Sequence, residues 1–131
     1  MSTVVEADDG SIRFHPPEFR NNEVVVPVSG ITGFRNIKTV YLNQCDLREL
    51  LEDIHNVRTE GYLVHSRSGE GGNLNDTISV KKGITESGDI FIPVEIGRYR
   101  DSNTVHIYRE NLSKLKEAIV ESIEKVSDTD R

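Results

Sequence analysis

The sequence predicts an α+β domain of two pseudo-symmetric halves, each a run of antiparallel strands closed by a helix, with the helices packed on one side of the sheets. Three observations predict it. The chain repeats itself: residues 39–54 read TVYLNQCDLRELLEDI and residues 104–119 read TVHIYRENLSKLKEAI, with six of 16 positions identical at an offset of 65. Upstream, Val26-Pro27-Val28 meets Ile92-Pro93-Val94, and Ile12-Arg13-Phe14 meets Ile78-Ser79-Val80, now at an offset of 66. A one-residue indel near Ser29 reconciles the two offsets. In both copies, alternating strand-length runs precede a stretch of helical period. Two copies are too few for a solenoid, so one domain with pseudo-two-fold symmetry follows.

The elements come in this order. Residues 1–10 are polar and acidic and predict a disordered tail. Residues 11–15 alternate as a strand, stopped by Pro16-Pro17. Residues 24–29 form a second strand after Asn21-Asn22, and residues 38–42 a third after a tight connection bracketed by Gly30 and Gly33. Asp46-Leu47-Arg48-Glu49 has the form of a capping box. Leu47, Leu50, Leu51, Ile54 and Val57 then recur at helical spacing. Residues 61–65 predict a short strand, and residues 66–75 (SRSGEGGNLN) a flexible linker. The second copy runs through strands at 77–81, 90–97 and 104–108. Its helix carries Leu112, Leu115, Ile119, Ile123 and Val126 on one stripe. The predicted organisation is therefore one domain over 11–126, with repeat one at 11–57, the linker at 66–75, repeat two at 76–126 and a frayed tail at 127–131. Each copy is strand, strand, strand, helix, with room for a fourth strand.

Composition narrows the function classes. At 131 residues the chain can bury a real core. Its longest apolar runs are of strand length, which predicts no membrane span. The single cysteine, Cys45, excludes an intrachain disulfide framework and points to a cytoplasmic or other reducing compartment. The net charge of −6 is unevenly spread: residues 11–42 hold Arg13, Arg20, Arg35 and Lys38 against Glu18 and Glu23. The acids gather in the amino-terminal tail and in the helices.

Strand parity then separates two faces. One is aliphatic in both copies: Ile12, Phe14, Val24, Val26, Val28, Val40 and Leu42, then Ile78, Val80, Ile90, Ile92, Val94, Val105 and Ile107. The opposite parity carries Arg13, His15, Val25, Tyr41, Ser79, Lys81, Phe91, Tyr99 and His106, and the turns add Phe34-Arg35 and Arg98-Tyr99-Arg100. Rings interleaved with cations are what a single strand of nucleic acid requires, since bases stack on aromatic faces and Lys or Arg neutralises the backbone. An oligomer interface would also place apolar groups on such a face.

Two strand-rich copies, each closed by a helix, resemble the Whirly proteins, with the Pur-alpha and positive-cofactor-four coactivators as wider relatives. Residues 12–19 (IRFHPPEF) are similar to the strand-then-Pro-Glu-Phe passage near the Whirly amino terminus, and residues 39–54 to their central strand and first helix. Asp9-Gly10-Ser11-Ile12 stands where Whirly proteins carry a lysine-containing motif. The resemblance implies binding of single-stranded DNA or RNA across the sheet, often by dimers or tetramers joined through the helices.

The sequence-based expectation is thus a non-enzymatic single-stranded nucleic-acid-binding protein with weak sequence preference, forming a homo-oligomer and needing no cofactor. Phe34, Tyr41, Phe91 and Tyr99 are the stacking candidates. Arg13, Arg35, Lys38, Lys81, Lys82, Arg98 and Arg100 are the phosphate candidates, and His106, equivalent to Tyr41, joins them. The alternative is a protein-interaction or scaffolding module contacting its partner through the acidic helices. The four histidines show no metal-ligand spacing, Cys45 has no second thiol, and Gly69-Glu70-Gly71-Gly72-Asn73 lacks the ending of a phosphate loop. No catalytic or metal residue is therefore expected. Helix positions Leu51, Val57 and Val120 are candidates for self-association.

Overall fold

Apolar alternation and helical stripes become strands and helices where expected, and three strands that were not expected, at residues 3–7, 18–20 and 84–86, are added. The computed structural model describes residues 2–20, 22–60, 64–67, 76–81, 83–98 and 101–129, with side chains described except at 56–60, 64–67, 76 and 98. Among them the order is β1 (Thr3–Ala7), β2 (Gly10–Phe14), β3 (Glu18–Arg20), β4 (Glu23–Thr32), β5 (Asn36–Leu42) and α1 (Gln44–Glu60). Then come β6 (Val64–Arg67), β7 (Asp76–Val80), β8 (Ile84–Glu86), β9 (Asp89–Arg98), β10 (Asp101–Tyr108) and, after one 3-10 turn, α2 (Leu112–Thr129).

The strands make two five-stranded antiparallel sheets. In the first, β4 pairs with β2, β3 and β5, and β2 pairs with β1; in the second, β9 pairs with β7, β8 and β10, and β7 pairs with β6. The pairing registers correspond as well. Ile12 lies opposite Gly30 and Ile78 opposite Ile96, whereas Val26 lies opposite Leu42 and Ile92 opposite Ile107. The offset changes from 66 to 65 in the hairpins, where Thr32 meets Asn36 and Arg98 meets Asp101. Three residues join β4 to β5 and two join β9 to β10.

The aliphatic parity is the core. Ile12, Phe14, Val24, Val26, Val28, Val40, Leu42, Ile78, Val80, Ile92, Val94, Val105 and Ile107 are all buried, and Ile90 packs against them. Burying a side chain of this size contributes roughly 1.5–3 kcal/mol, the main stabilising term here. Each helix leans chiefly on the other half's sheet: α1 against β6 and β7, α2 against β1, β2 and β4, and the helices against each other. Neither half could bury its apolar face without the other. At the junction the Asn103 amide donates to Gly30 O and Asn36 O, both at 2.9 Å. A Cβ on Gly30 would stand 3.1 Å from Ile96, so the sheets meet across a bare backbone.

Four expectations are corrected. The amino-terminal segment is an edge strand, because Val5, 2% exposed, is drawn into the core and Asp8-Asp9 turn the chain back onto β2. Helix α2 continues to Thr129, within the stretch expected to fray. The strand expected at 61–65 is β6, which takes in the first two residues of the expected linker; residues 61–63 and 68–75 lie outside the described residues. The capping box sits three residues earlier than expected. Asp46 N donates to Asn43 Oδ1 at 2.8 Å and Asn43 N to Asp46 Oδ2 at 3.2 Å, making Asn43 the cap and Asp46 its third-position partner.

Candidate nucleic-acid interface

The outer face of the first sheet is built from rows set by strand register. Arg13, Ser29 and Thr39 lie side by side on β2, β4 and β5, and Pro27 faces Tyr41 in the next row. His15 leaves the end of β2, held there by its N–H donating to Pro27 O at 2.9 Å. Its Nε2 shares a 2.9 Å hydrogen bond with Ser29 Oγ, which shares one of 2.8 Å with Thr39 Oγ1. Burial, and then the nearby Arg13 charge, hold the imidazole below its ordinary value, with Glu18 pulling the other way.

Pro16-Pro17 break the strand after His15, and the chain resumes as β3. This places the Arg20 guanidinium 4.0 Å over the Tyr41 ring, while Arg20 Nε stands 3.4 Å from Glu18. A cation on an aromatic face is attracted by the ring quadrupole, and here it covers one face of the Tyr41 ring. Beside them lies a shallow hollow of about 500 Å³ lined by His15, Pro16, Pro17, Glu18, Pro27, Thr39 and Tyr41. Arg13 is exposed and makes no ion pair with the described residues. At the β4–β5 hairpin tip Phe34 is 89% exposed, and Arg35 turns back over its ring at 5.4 Å from a left-handed backbone (φ 72°).

The second sheet presents a different face. Phe91 and Tyr108 are cross-strand neighbours with ring centroids 5.5 Å apart, tilted by 47°. Tyr108 OH donates to Asp89 Oδ1 at 3.1 Å; hydrogen bonds to Glu110 and Asp89 push its phenol up to about 12. The β1–β2 turn reaches across, so that His106 N donates to Asp9 Oδ1 at 3.1 Å and His106 Nδ1 lies 2.6 Å from Asp9 Oδ2. Two adjoining cavities of about 370 and 350 Å³ open here, both lined by Asp8, Asp89, Phe91 and His106.

The expected site residues therefore part company. Arg13, Tyr41, Phe34 and Arg35 share the first sheet's outer face and hairpin tip. Lys38 Nζ is paired with Asp101 at 2.7 Å and Lys81 Nζ with Glu95 at 3.0 Å. Phe91 and His106 are set among carboxylates. Lys82, Tyr99 and Arg100 lie outside the described residues, as does the Arg98 side chain. Sequence reasoning missed Arg20 as a site residue, since the parity of β3 could not be carried past two prolines. Among the self-association candidates, Leu51 packs on the core, Val120 is 41% exposed, and the Val57 side chain lies outside the described residues.

Among the described residues no three His, Cys, Asp or Glu side chains are grouped to hold a metal, and no helix is long and apolar enough to cross a membrane. Cys45 is exposed, its thiol 3.9 Å from Glu49 Oε1. No protein-family model, curated protein or solved structure matches this chain.

Proposed function

We propose that this chain binds a single strand of nucleic acid across the outer face of its first sheet, without catalysis of its own. The observation that carries the reading is the Arg20–Tyr41 stack at 4.0 Å beside an open hollow and an exposed Arg13 that makes no ion pair with the described residues. Bases would lie on the Tyr41–Arg20 surface and on Phe34 at the hairpin tip. Arg13 and Arg35 would neutralise flanking phosphates. The resemblance to Whirly proteins supports the same reading, as does the repeated strand order, which we take as a pseudo-symmetric duplication. Self-association through the helices and residence in a reducing compartment belong to it.

The second sheet is left out of this interface, because carboxylates around Phe91 and His106 repel a phosphate backbone. Fluorescence anisotropy with a labelled single strand of about 30 nucleotides, at low and moderate salt, tests the proposal. Saturable binding that weakens with salt and resists duplex competitor is expected. Each stacked base contributes roughly 1–3 kcal/mol, so Tyr41→Ala should weaken binding by about 5- to 150-fold. Absence of binding at low salt, or a folded Arg13→Ala/Tyr41→Ala variant that binds like the parent, would overturn it.

A further inference from the structure

We propose that the outer face of the second sheet docks a basic peptide segment of a partner protein, seating a lysine or arginine side chain on the Phe91–Tyr108 pair. The inference goes beyond the nucleic-acid reading and does not rest on it. It begins with the rings. Phe91 lines both adjoining cavities, and the smaller, about 350 Å³ and lined by Phe91 and Tyr108 together, has ample room for one extended side chain. An aromatic floor in an open cleft suits an apolar stem and, through its quadrupole, a cationic head.

The surrounding charge fixes the sign of the occupant. Glu6, Asp8, Asp9, Glu86 and Asp89 line the two cavities, and among the described residues no lysine or arginine does. His106 is the single basic lining group among the described residues and is held by Asp9. The Tyr108 phenol, pushed up to about 12, reports the same negative surroundings. A compact metal ion is a poor occupant, since these carboxylates do not group as a ligand set. A larger organic cation fits better, its stem against the rings and its head among the acids. The cleft continues past one side chain, from the turn that follows β8 to Asn111, a length suited to an extended segment.

The probe is a fluorescein-labelled (Ala-Arg)4 peptide, with (Ala-Glu)4 as control, titrated with the full chain at about 50 and 500 mM salt. Saturable binding of the arginine peptide alone, lost at high salt, is expected. Asp8→Asn/Glu86→Gln removes two exposed carboxylates that make no described hydrogen bond, so the chain stays folded, and it should weaken binding about tenfold or more. Phe91→Leu keeps an apolar filling and should weaken binding by about two- to fivefold through loss of the ring. Either variant binding as the parent does, no saturation at low salt, or equal binding of (Ala-Glu)4 would overturn the proposal. Displacement by equimolar spermine would reassign the cleft to a free polyamine and overturn it likewise. Single-strand binding measured on Asp8→Asn/Glu86→Gln should match the parent, which separates failure of this proposal from failure of the other.

Discussion

Asp53 should destabilise this protein at neutral pH, and replacing it with asparagine should make the chain more stable. Asp53 is 8% exposed on α1, and its Oδ2 has no hydrogen-bond partner among the described residues. Burial above all, then the charges of Glu49 and Glu52, raise it from 3.8 to about 6. The sign follows from linkage. A carboxyl whose folded value is raised binds its proton more tightly in the folded state, so its cost is greatest above about pH 6. That cost is relieved as pH falls from about 6 towards 4. The full shift corresponds to about 3 kcal/mol. A site one layer from solvent, screened more than a deep interior, keeps roughly 1–2 kcal/mol of it. Asp53→Asn should therefore raise the urea midpoint by about 0.5–1 M at pH 7.5, taking a slope near 2 kcal/mol per M. The gain should shrink steadily between pH 6 and pH 4. His15, held low, acts the other way: it loses stability as pH falls through its ordinary range, but it is common to both chains and cancels in their difference. Equal midpoints at pH 7.5, or a gain that is the same at pH 7.5 and pH 4.5, would refute the desolvation argument.

Three further outcomes are expected. Asn103→Ala removes the amide that bridges Gly30 O and Asn36 O and should lower stability by about 1–3 kcal/mol, read by urea titration. Asn43→Ala removes the cap of α1 and the amide that donates to Glu23 at 2.7 Å, and should lower stability by about 1 kcal/mol or more; Asn43→Ser should recover part of it, since serine caps without setting a carboxylate against Glu23. Gly30→Val would drive methyl groups into Ile96 and wedge the sheets apart, so a thermal melt should show a loss larger than either of these.

Much of the fold was legible because it rests on periodicity. The alternation that put Val26, Val28, Val40 and Leu42 on one face reports the same burial that holds them in the core, and the repeat carried this to the second sheet. What escaped was set by partners distant in sequence. The segment carrying Val4 and Val5 looked disordered by its acids, yet one buried valine and a mate in β2 suffice to make it a strand. The capping box was read one turn late, because Asp46 fits either end of the motif and only the bond to Asn43 decides.

The candidate site was harder for the same reason. Parity put Phe91, His106 and Tyr41 on an outer face, though Val25 and Ser79, placed there with them, are buried, and the equivalence of His106 and Tyr41 implied one shared role. Equivalent positions share a backbone environment, not an electrostatic one. The field at Tyr41 is set by Arg20, beyond two prolines. The field at His106 is set by Asp9, 97 residues away in the chain. A net charge of −6 averages over both and describes neither. Among the described residues, arginines with Glu18 surround Tyr41, whereas carboxylates surround His106. Ligands of opposite charge on the two sheets are the simplest use of that asymmetry, and the paired titrations of single strand and arginine peptide test both halves of the argument separately.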